Sequence, residues 1–515
     1  MTDAVLGVMT NAGTQYIADK TLLNQGLEIS EVVLAHIEGI DENTPRDKAQ
    51  GLPTDLQIVH RRIIDAEGKV DENTVAWSIV LDQNVGDFDY NWIGLVTTDG
   101  TLIAVDYLPL QRKRAGVNNV HNRSFVLQFA GAAALAQIAI PAESWMFDYT
   151  PRIDALELQM ATYKKAIENA SGRRNTVIID DQGNQNVMVR IPRFNYEDLN
   201  QAILDRTGAD LKLGTGTPTM FLRDGEELGE VLIAKYLASP AENGCAVVGG
   251  VQPMTNVSYE QSKTLCNNKG AGWHLMSIHE WAAIALWSLA NNSVPRGNTN
   301  HGRSHERKIE TSRRADGGIP GDASGIGITD TGNGPSSWTH DQTEWGIHDL
   351  VGNVWEWVDQ MLLIDGQICS TLDNTPGLNV NTWKYHEAYF DSLVNDAAGG
   401  VNVGAPILSH SVINRHGPIG DNSYDYPYMR HEHFADIAKS SSYQPLEILR
   451  RLLIESETTL TLPGGIWCRN YGTRPAIRGG SSGSGYLGGF GTILLDAESS
   501  LLSPSGGFRP AYFSI

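Results

Sequence analysis

The residues able to do chemistry are few. Asp349 and Glu356 fall within one short run, GIHDLVGNVWEWV (346–358), beside two tryptophans, two glycines and an asparagine. Carboxylates so placed can ligate a hard cation through oxygen, or they can simply accept hydrogen bonds from loop amides. Histidines occur in two close pairs, His301 with His305 in HGRSH and His431 with His433 in RHEHF. Such pairs can ligate a catalytic metal, but both stand in loop sequence and are read as solvated side chains. Cys245, Cys266, Cys369 and Cys468 are far apart and form no CxxC, unlike a zinc ribbon or a disulfide scaffold. No Ser-His-Asp set can be singled out. No catalytic residue is assigned, and no redox cofactor is expected.

Composition narrows the alternatives. The chain of 515 residues carries 60 acids against 39 bases, a formal charge of −21. Sequence-independent phosphate binding needs clustered Lys and Arg, so nucleic acid is an unsuitable partner, and an anionic membrane surface is disfavoured for the same reason. Hydrophobic residues make up 41%, enough to bury a core, and the length suggests about two to four domains. The start, MTDAVLGVMTNAG, has neither a basic n-region nor an apolar h-region. No run approaches the ~20 apolar residues of a spanning helix. Synthesis in a reducing cytoplasm, without membrane insertion, is the expectation.

The elements that must position these residues fall into regions. Over 1–150, TVAWSIVLDQ and SFVLQFAG alternate and are rich in β-branched and aromatic residues, which predicts strands. GDFDYNWIGLVTTDGTLIAVDYLPL reads as a hairpin with Asp99 and Gly100 at the positive-φ positions. Trp92, Trp145 and Phe147 are expected in the core. The ordered motifs VVLAHIEGID, GLPTDLQIVHRRIID, VGDFDYNWIGLV and PAESWMFDYT resemble the N-terminal domain of phage tail-collar fibre proteins. The resemblance implies a domain that joins a fibre to the tail or baseplate.

Residues 151–172 follow, reading RIDALELQMATYKKAIENASG from Arg152. Ile153, Leu156, Met160, Tyr163 and Ile167 recur at alternating steps of three and four, an a/d seam. A surface helix on a domain is the alternative. Beside the preceding resemblance, the seam is read as a short coiled coil of a homotrimer. Residues 173–220 are polar and mixed, and read as a linker with small strands.

Residues 221–515 form the second large region. Ser258 with Gln261, and Ser277 with Glu280, predict two helices opened by capping boxes. Gly270 is a stop for the first, and Ile278, Trp281, Ala285 and Leu289 mark a buried stripe on the second. With GWHLMSIHEWAAIAL, GIHDLVGNVWEWV, AIRGGS and GGFRPAY, this region resembles the formylglycine-generating-enzyme domain, a variant of the C-type lectin fold, with an insertion at about 365–460. The expected fold class is therefore α+β and multi-domain: β-rich attachment domain, short coiled coil, C-type-lectin-like C-terminal domain. Enzymes of that family use a cysteine pair between the RGG and GFR motifs, and this chain has none there. The run around Asp349 is read mainly as scaffold, with Trp355 and Trp357 alternating along a strand. The resemblance also implies a structural calcium site made by Asp349, the carbonyls of Gly352 and Val354, and Glu356.

The last stretch resembles the variable segment of phage proteins diversified by a retroelement that mutates adenines. Here it runs from Arg478 to Arg509. Every residue from Ser481 to Gly506 except Glu498 belongs to the set that such mutation reaches. The resemblance implies an exposed ligand-binding set of Ser482, Ser484, Tyr486, Leu487, Thr492, Leu494, Asp496, Leu501 and Ser503, over a core of Phe490, Ile493 and Leu495. The reading is a receptor-binding tail fibre of the virion, not an enzyme. Its expected partners are tail or baseplate proteins and a host-surface sugar or protein. The competing reading is a formylglycine-generating-type oxidoreductase, which the missing cysteine pair disfavours. A host-encoded intracellular binding protein is a third, weaker reading, against which the tail-collar motifs speak.

Overall fold

The structure, a computed structural model, describes residues 4–116, 120–138, 150–394, 404–456 and 462–513. It divides into two units, Met1–Leu158 and Gln159–Ile515.

The N-terminal unit is built from two sheets because its strands alternate or are apolar on both faces. One sheet runs in the order Ala4–Leu6, His121–Gln128, Thr74–Leu81, Ala66–Asp71; the other runs Val8–Met9, Leu102–Lys113, Phe88–Thr97, Ile29–Ala35, Ile58–Ile63. Trp77, Tyr90, Ile93 and Phe125 bury in one cluster and Trp92, Val33 and Val105 in another. The Trp92 indole N–H donates to Gln50 Oε1 at 3.0 Å, so its one polar atom is satisfied. Of the two predicted turn residues only Gly100 has positive φ, at +84°. Asp99 instead accepts from the Thr97 hydroxyl at 2.5 Å, a side-chain cap that replaces the expected second positive-φ residue. Trp145 and Phe147 lie outside the described residues.

The C-terminal unit holds a five-stranded sheet, in the order Asn175–Ile179, Gln185–Pro192, Glu230–Ala234, Pro510–Tyr512, Trp273–Leu275. The supposed linker thus supplies two strands of a sheet. Its helix Tyr196–Thr207 buries Tyr196, Leu199 and Ile203 in the same core as Trp281. Its polar residues hid an alternation in which Val187, Val189 and Ile191 share one face. Both capping boxes form, Ser258 with Gln261 and Ser277 with Glu280, and Gly270 follows the first helix at φ +117°.

A ten-stranded sheet carries the candidate site. Its order is Met429–His431, Ile466–Cys468, Gly489–Leu495, Thr473–Gly479, Trp355–Ile364, Gln367–Ser370, Lys384–Ser392, Pro406–Ser409, Ala438–Lys439. Gly506–Phe508 pairs in parallel with Trp355–Ile364. The insertion therefore extends both ends of this sheet and is no separate lobe.

The helix Thr150–Ala170 bears the seam. Side chains of Ile153 and Leu156 lie outside the described ones. Of the rest, Met160 Sδ sits 3.6 Å from Gln185 Nε2, and Tyr163 and Ile167 line a cavity of their own unit. That half of the stripe packs as a surface helix does, because an apolar stripe buries equally well on its own domain.

Candidate functional site

The strand Gly489–Leu495 sets the geometry: after a bulge near its start, side chains alternate across the sheet from Ile493 to Leu495. Phe490, Ile493 and Leu495 are buried at 1%, 0% and 0% exposure. Leu494 faces the other way, in register with Trp467 on one side and Ile477 on the other, and Ile477 in turn pairs with Trp357. These four make a row across the open face.

At this row a cavity of about 260 Å³ opens, walled by Trp355, Trp357, Tyr424, Leu494 and Leu501, with Asp496, Ser503 and Ser505 as its polar groups. Four of the nine expected ligand residues meet here. Burial pushes the Asp496 carboxyl pKa up, against the pull of Arg469 and Arg474. Trp355 is half-buried while Trp357 is 2% exposed, its indole donating to Val257 O at 3.0 Å. Only Trp357 of the pair is wholly scaffold.

Three more of the expected residues form a neighbouring patch. Tyr486 is 50% exposed, its ring 6.4 Å from that of His433. The Glu432 carboxylate beside its hydroxyl raises the phenol pKa. Ser484 and Leu487 are half-buried. A Cβ on Gly465 would lie 3.2 Å from Trp467 and 3.3 Å from Leu487, so glycine there lets the two approach. Trp467 then meets Trp355 edge-on at 5.7 Å. Patch and cavity are thus joined through Trp467.

Two expected ligand residues are not on the face. Ser482 is 3% exposed, its hydroxyl donating to Ile326 O at 3.0 Å. Thr492 is fully buried, donating to Leu487 O at 2.7 Å. Each spends its hydroxyl on a carbonyl and so belongs to the scaffold. Sequence reasoning missed Tyr424, Trp467 and the exposure of Trp355. The available signal for Tyr424 was NSYDYPY, tyrosines among small polar residues, as in binding loops.

The run that raised the metal question is strained and buried. Asp349, Gly352 and Asn353 have φ of +61°, +74° and +64°. At Gly352 a Cβ would meet Asn298 O at 2.2 Å, which requires glycine. Asn353 Oδ1 accepts the Thr329 N–H at 2.8 Å and fixes the loop. Glu356 is 1% exposed and takes Arg509 Nε and Nη2 at 2.8 and 2.9 Å. The same guanidinium donates to Ala234 O and His348 O. Asp349, 2% exposed, accepts the Gly332 N–H at 2.8 Å, and burial pushes its pKa up to about 6. The guanidinium thus pairs with Glu356 and acts on Asp349 only through space. The buried charge left over at Asp349 fits a hard cation, although Glu356 would share it with Arg509. Among the described residues no three His, Cys, Asp or Glu gather as a metal cluster. His431 Nδ1 accepts the His433 backbone N–H at 3.0 Å, and His305 Nδ1 lies 2.8 Å from Thr299 Oγ1. The four thiols are buried and free. Burial raises each pKa, that of Cys369 to about 12, so they stay protonated and are poor nucleophiles.

Residues 1–157 match the family model of the phage tail-collar fibre protein, N-terminal. Residues 238–367 match that of the sulfatase-modifying factor enzyme 1-like domain. A probable tail fiber protein of Haemophilus phage HP1 (strain HP1c1) is 34% identical over 148 residues, 28% of this chain and 16% of that protein. The chain thus spans about a sixth of the length of the curated relative it matches. Among the described residues no helix is long and apolar enough to cross a membrane.

Proposed function

We propose that the chain is a phage tail fibre protein of the virion tail. Its N-terminal unit attaches to tail or baseplate proteins, and its C-terminal unit binds a ligand on the host cell surface. The match of residues 1–157 to the tail-collar family, with the tail fibre relative behind it, carries this reading. The face formed by Ser484, Tyr486, Leu487, Leu494, Asp496, Leu501 and Ser503, completed by Trp355, Trp467 and Tyr424, is the receptor face. Aromatic side chains supply large contact area at low entropy cost, and the out-facing residues are not those that hold the core. The span 478–509 suits retroelement diversification for that reason. Its end arginines, Arg478 and Arg509, are both fully buried, while much of what lies between faces out. A near-copy of its codons beside a reverse transcriptase gene, differing at adenines, is the expected sign in the neighbouring DNA.

The sulfatase-modifying-factor match favours one competing reading, an oxidoreductase. Buried, protonated thiols speak against it, since copper chemistry of that kind needs soft thiolate ligands. Assembly as a homotrimer multiplies a weak single site by effective concentration. Asp349, the Gly352 and Val354 carbonyls and Glu356 are read as a structural calcium site, where the ion would tie the loop to the strand.

The test is adsorption of labelled full-length protein to bacterial cells, beginning with Haemophilus strains. The variant Tyr486→Ala/Leu487→Ala/Asp496→Ala spans patch and cavity. Truncating a central anchor costs ~2 kcal/mol or more of affinity, and more on a multivalent fibre. Adsorption should be lost with melting unchanged. A triple variant that adsorbs like the wild type puts the face elsewhere.

A further inference from the structure

A second cavity, of about 530 Å³, lies away from that face, bounded by Tyr163, Lys235, Tyr236, Thr331, Asn333 and Trp345 among others. Lys235 follows the strand Glu230–Ala234 and is 5% exposed. Its ammonium donates to Asn175 Oδ1 at 3.1 Å and Glu344 O at 2.7 Å. Both are neutral oxygens, so an ammonium with three donors has one donor beyond them. The ammonium lies 5.6 Å from the Tyr236 ring and 5.2 Å from that of Trp345. The carboxylates of Glu344 and Asp341 act on it only through space, and Asp341 already accepts from the Thr343 N–H and hydroxyl. A buried charge is costly unless paired, and here its pair is left to be supplied.

The walls are preset. A Cβ on Gly332 would stand 2.2 Å from the Tyr236 ring and one on Gly249 2.9 Å away, so only glycines let that ring lie where it does. The His348 ring meets it at 5.5 Å. Aromatic faces with the Asn333 amide suit a compact body bearing both apolar and hydroxyl surface, while the Thr331 hydroxyl is held by Val248 O at 2.8 Å. A single positive charge, with two acids in range, suits a monoanion better than a phosphate dianion.

We propose that this cavity is a binding site for a carboxylate carried on a compact hydroxylated ring, the chemistry of a sugar acid. Lys235 would pair with the carboxylate, and the ring would lie on Tyr236, Tyr163 and Trp345. The site does not depend on the receptor face. Burial lowers the Lys235 pKa to about 8, so the ammonium is charged at neutral pH and binding weakens as pH rises past about 8.

The test is calorimetric titration of the full chain with glucuronate, glucose and inorganic phosphate. Glucuronate should bind at least about tenfold tighter than either comparator, the range of a charge-assisted hydrogen bond. Lys235→Met keeps the stem and should lose that factor at unchanged melting temperature. Tyr163→Ala, at the 42% exposed rim, should weaken binding severalfold, and it decides the matter if Lys235→Met fails to fold. Trp355→Ala, on the other face, should leave glucuronate binding intact. Equal affinity for glucose or phosphate, or full affinity in folded Lys235→Met or in Tyr163→Ala, overturns the proposal.

Discussion

Asp349→Asn offers a sharp test of the buried charge. Asn at this position keeps an oxygen for the Gly332 N–H and tolerates the observed φ of +61°. It removes only the ability to ionise. The folded carboxyl titrates at about 6, against about 3.9 in an unfolded chain. Because the folded value is raised, the native state holds its proton longer than the unfolded one. Stability from this group is full below pH about 4 and is lost as pH rises through 6. The loss above that window is on the order of 2–3 kcal/mol. For a unit spanning 159–515, unfolding entropy of about 2.1 cal/mol/K per residue makes this roughly 3–4 °C in melting temperature. In EDTA at pH 7.5 the Asn variant should therefore melt above the wild type, and the gap should close as pH falls towards 4. With millimolar calcium the order should reverse, since a cation that binds only the folded state stabilises by mass action. Differential scanning calorimetry at several pH values reads both arms. A variant that melts no higher than the wild type in EDTA refutes the uncompensated charge, and calcium that moves neither protein refutes the cation site.

Trp357→Ala should cost roughly 3–5 kcal/mol, the range for deleting a buried tryptophan, whereas half-buried Trp355→Ala should cost less and instead weaken cell binding; chemical denaturation with an adsorption assay separates the two. Full-length protein should sediment at micromolar concentration as three chains of 56.2 kDa each, and a monomer there contradicts the trimer.

How far the sequence could be read follows the range of the interaction concerned. Both capping boxes were legible because each closes over three residues, Ser258 to Gln261 and Ser277 to Glu280. The burial of Phe490, Ile493 and Leu495 was legible through the family resemblance, since strand alternation by itself relates only Ile493 and Leu495 and the step from 490 to 493 crosses a bulge. Ser482 and Thr492 were misplaced because distant backbone covers them, the Ile326 carbonyl over Ser482 and Gly464 against Thr492. Their hydroxyls are satisfied by Ile326 O and Leu487 O, which no local pattern announces. The segment 173–220 reads as a linker because its own hairpin, Asn175–Ile179 with Gln185–Pro192, joins the larger sheet only through 230–234.

The longest-range device explains how a changeable face can sit on a fixed fold. Arg509 reaches Glu356 across 153 positions and also grips the carbonyls of Ala234 and His348. Arg478 donates to the carbonyls of Leu452 and Leu453. Both ends of the span 478–509 are thus anchored by buried guanidinium groups that touch backbone or one carboxylate, never a side chain of the out-facing set. Between them, Leu494, Asp496, Leu501 and Ser503 meet Trp355 and Tyr424, which the span does not encode. Substituting the former changes what the cavity recognises while the aromatic walls remain. Unpairing Arg509 instead strands Glu356 as a buried charge, and breaking a buried pair costs on the order of 3–5 kcal/mol. Recognition and stability are therefore separated between residues that alternate along the same few strands.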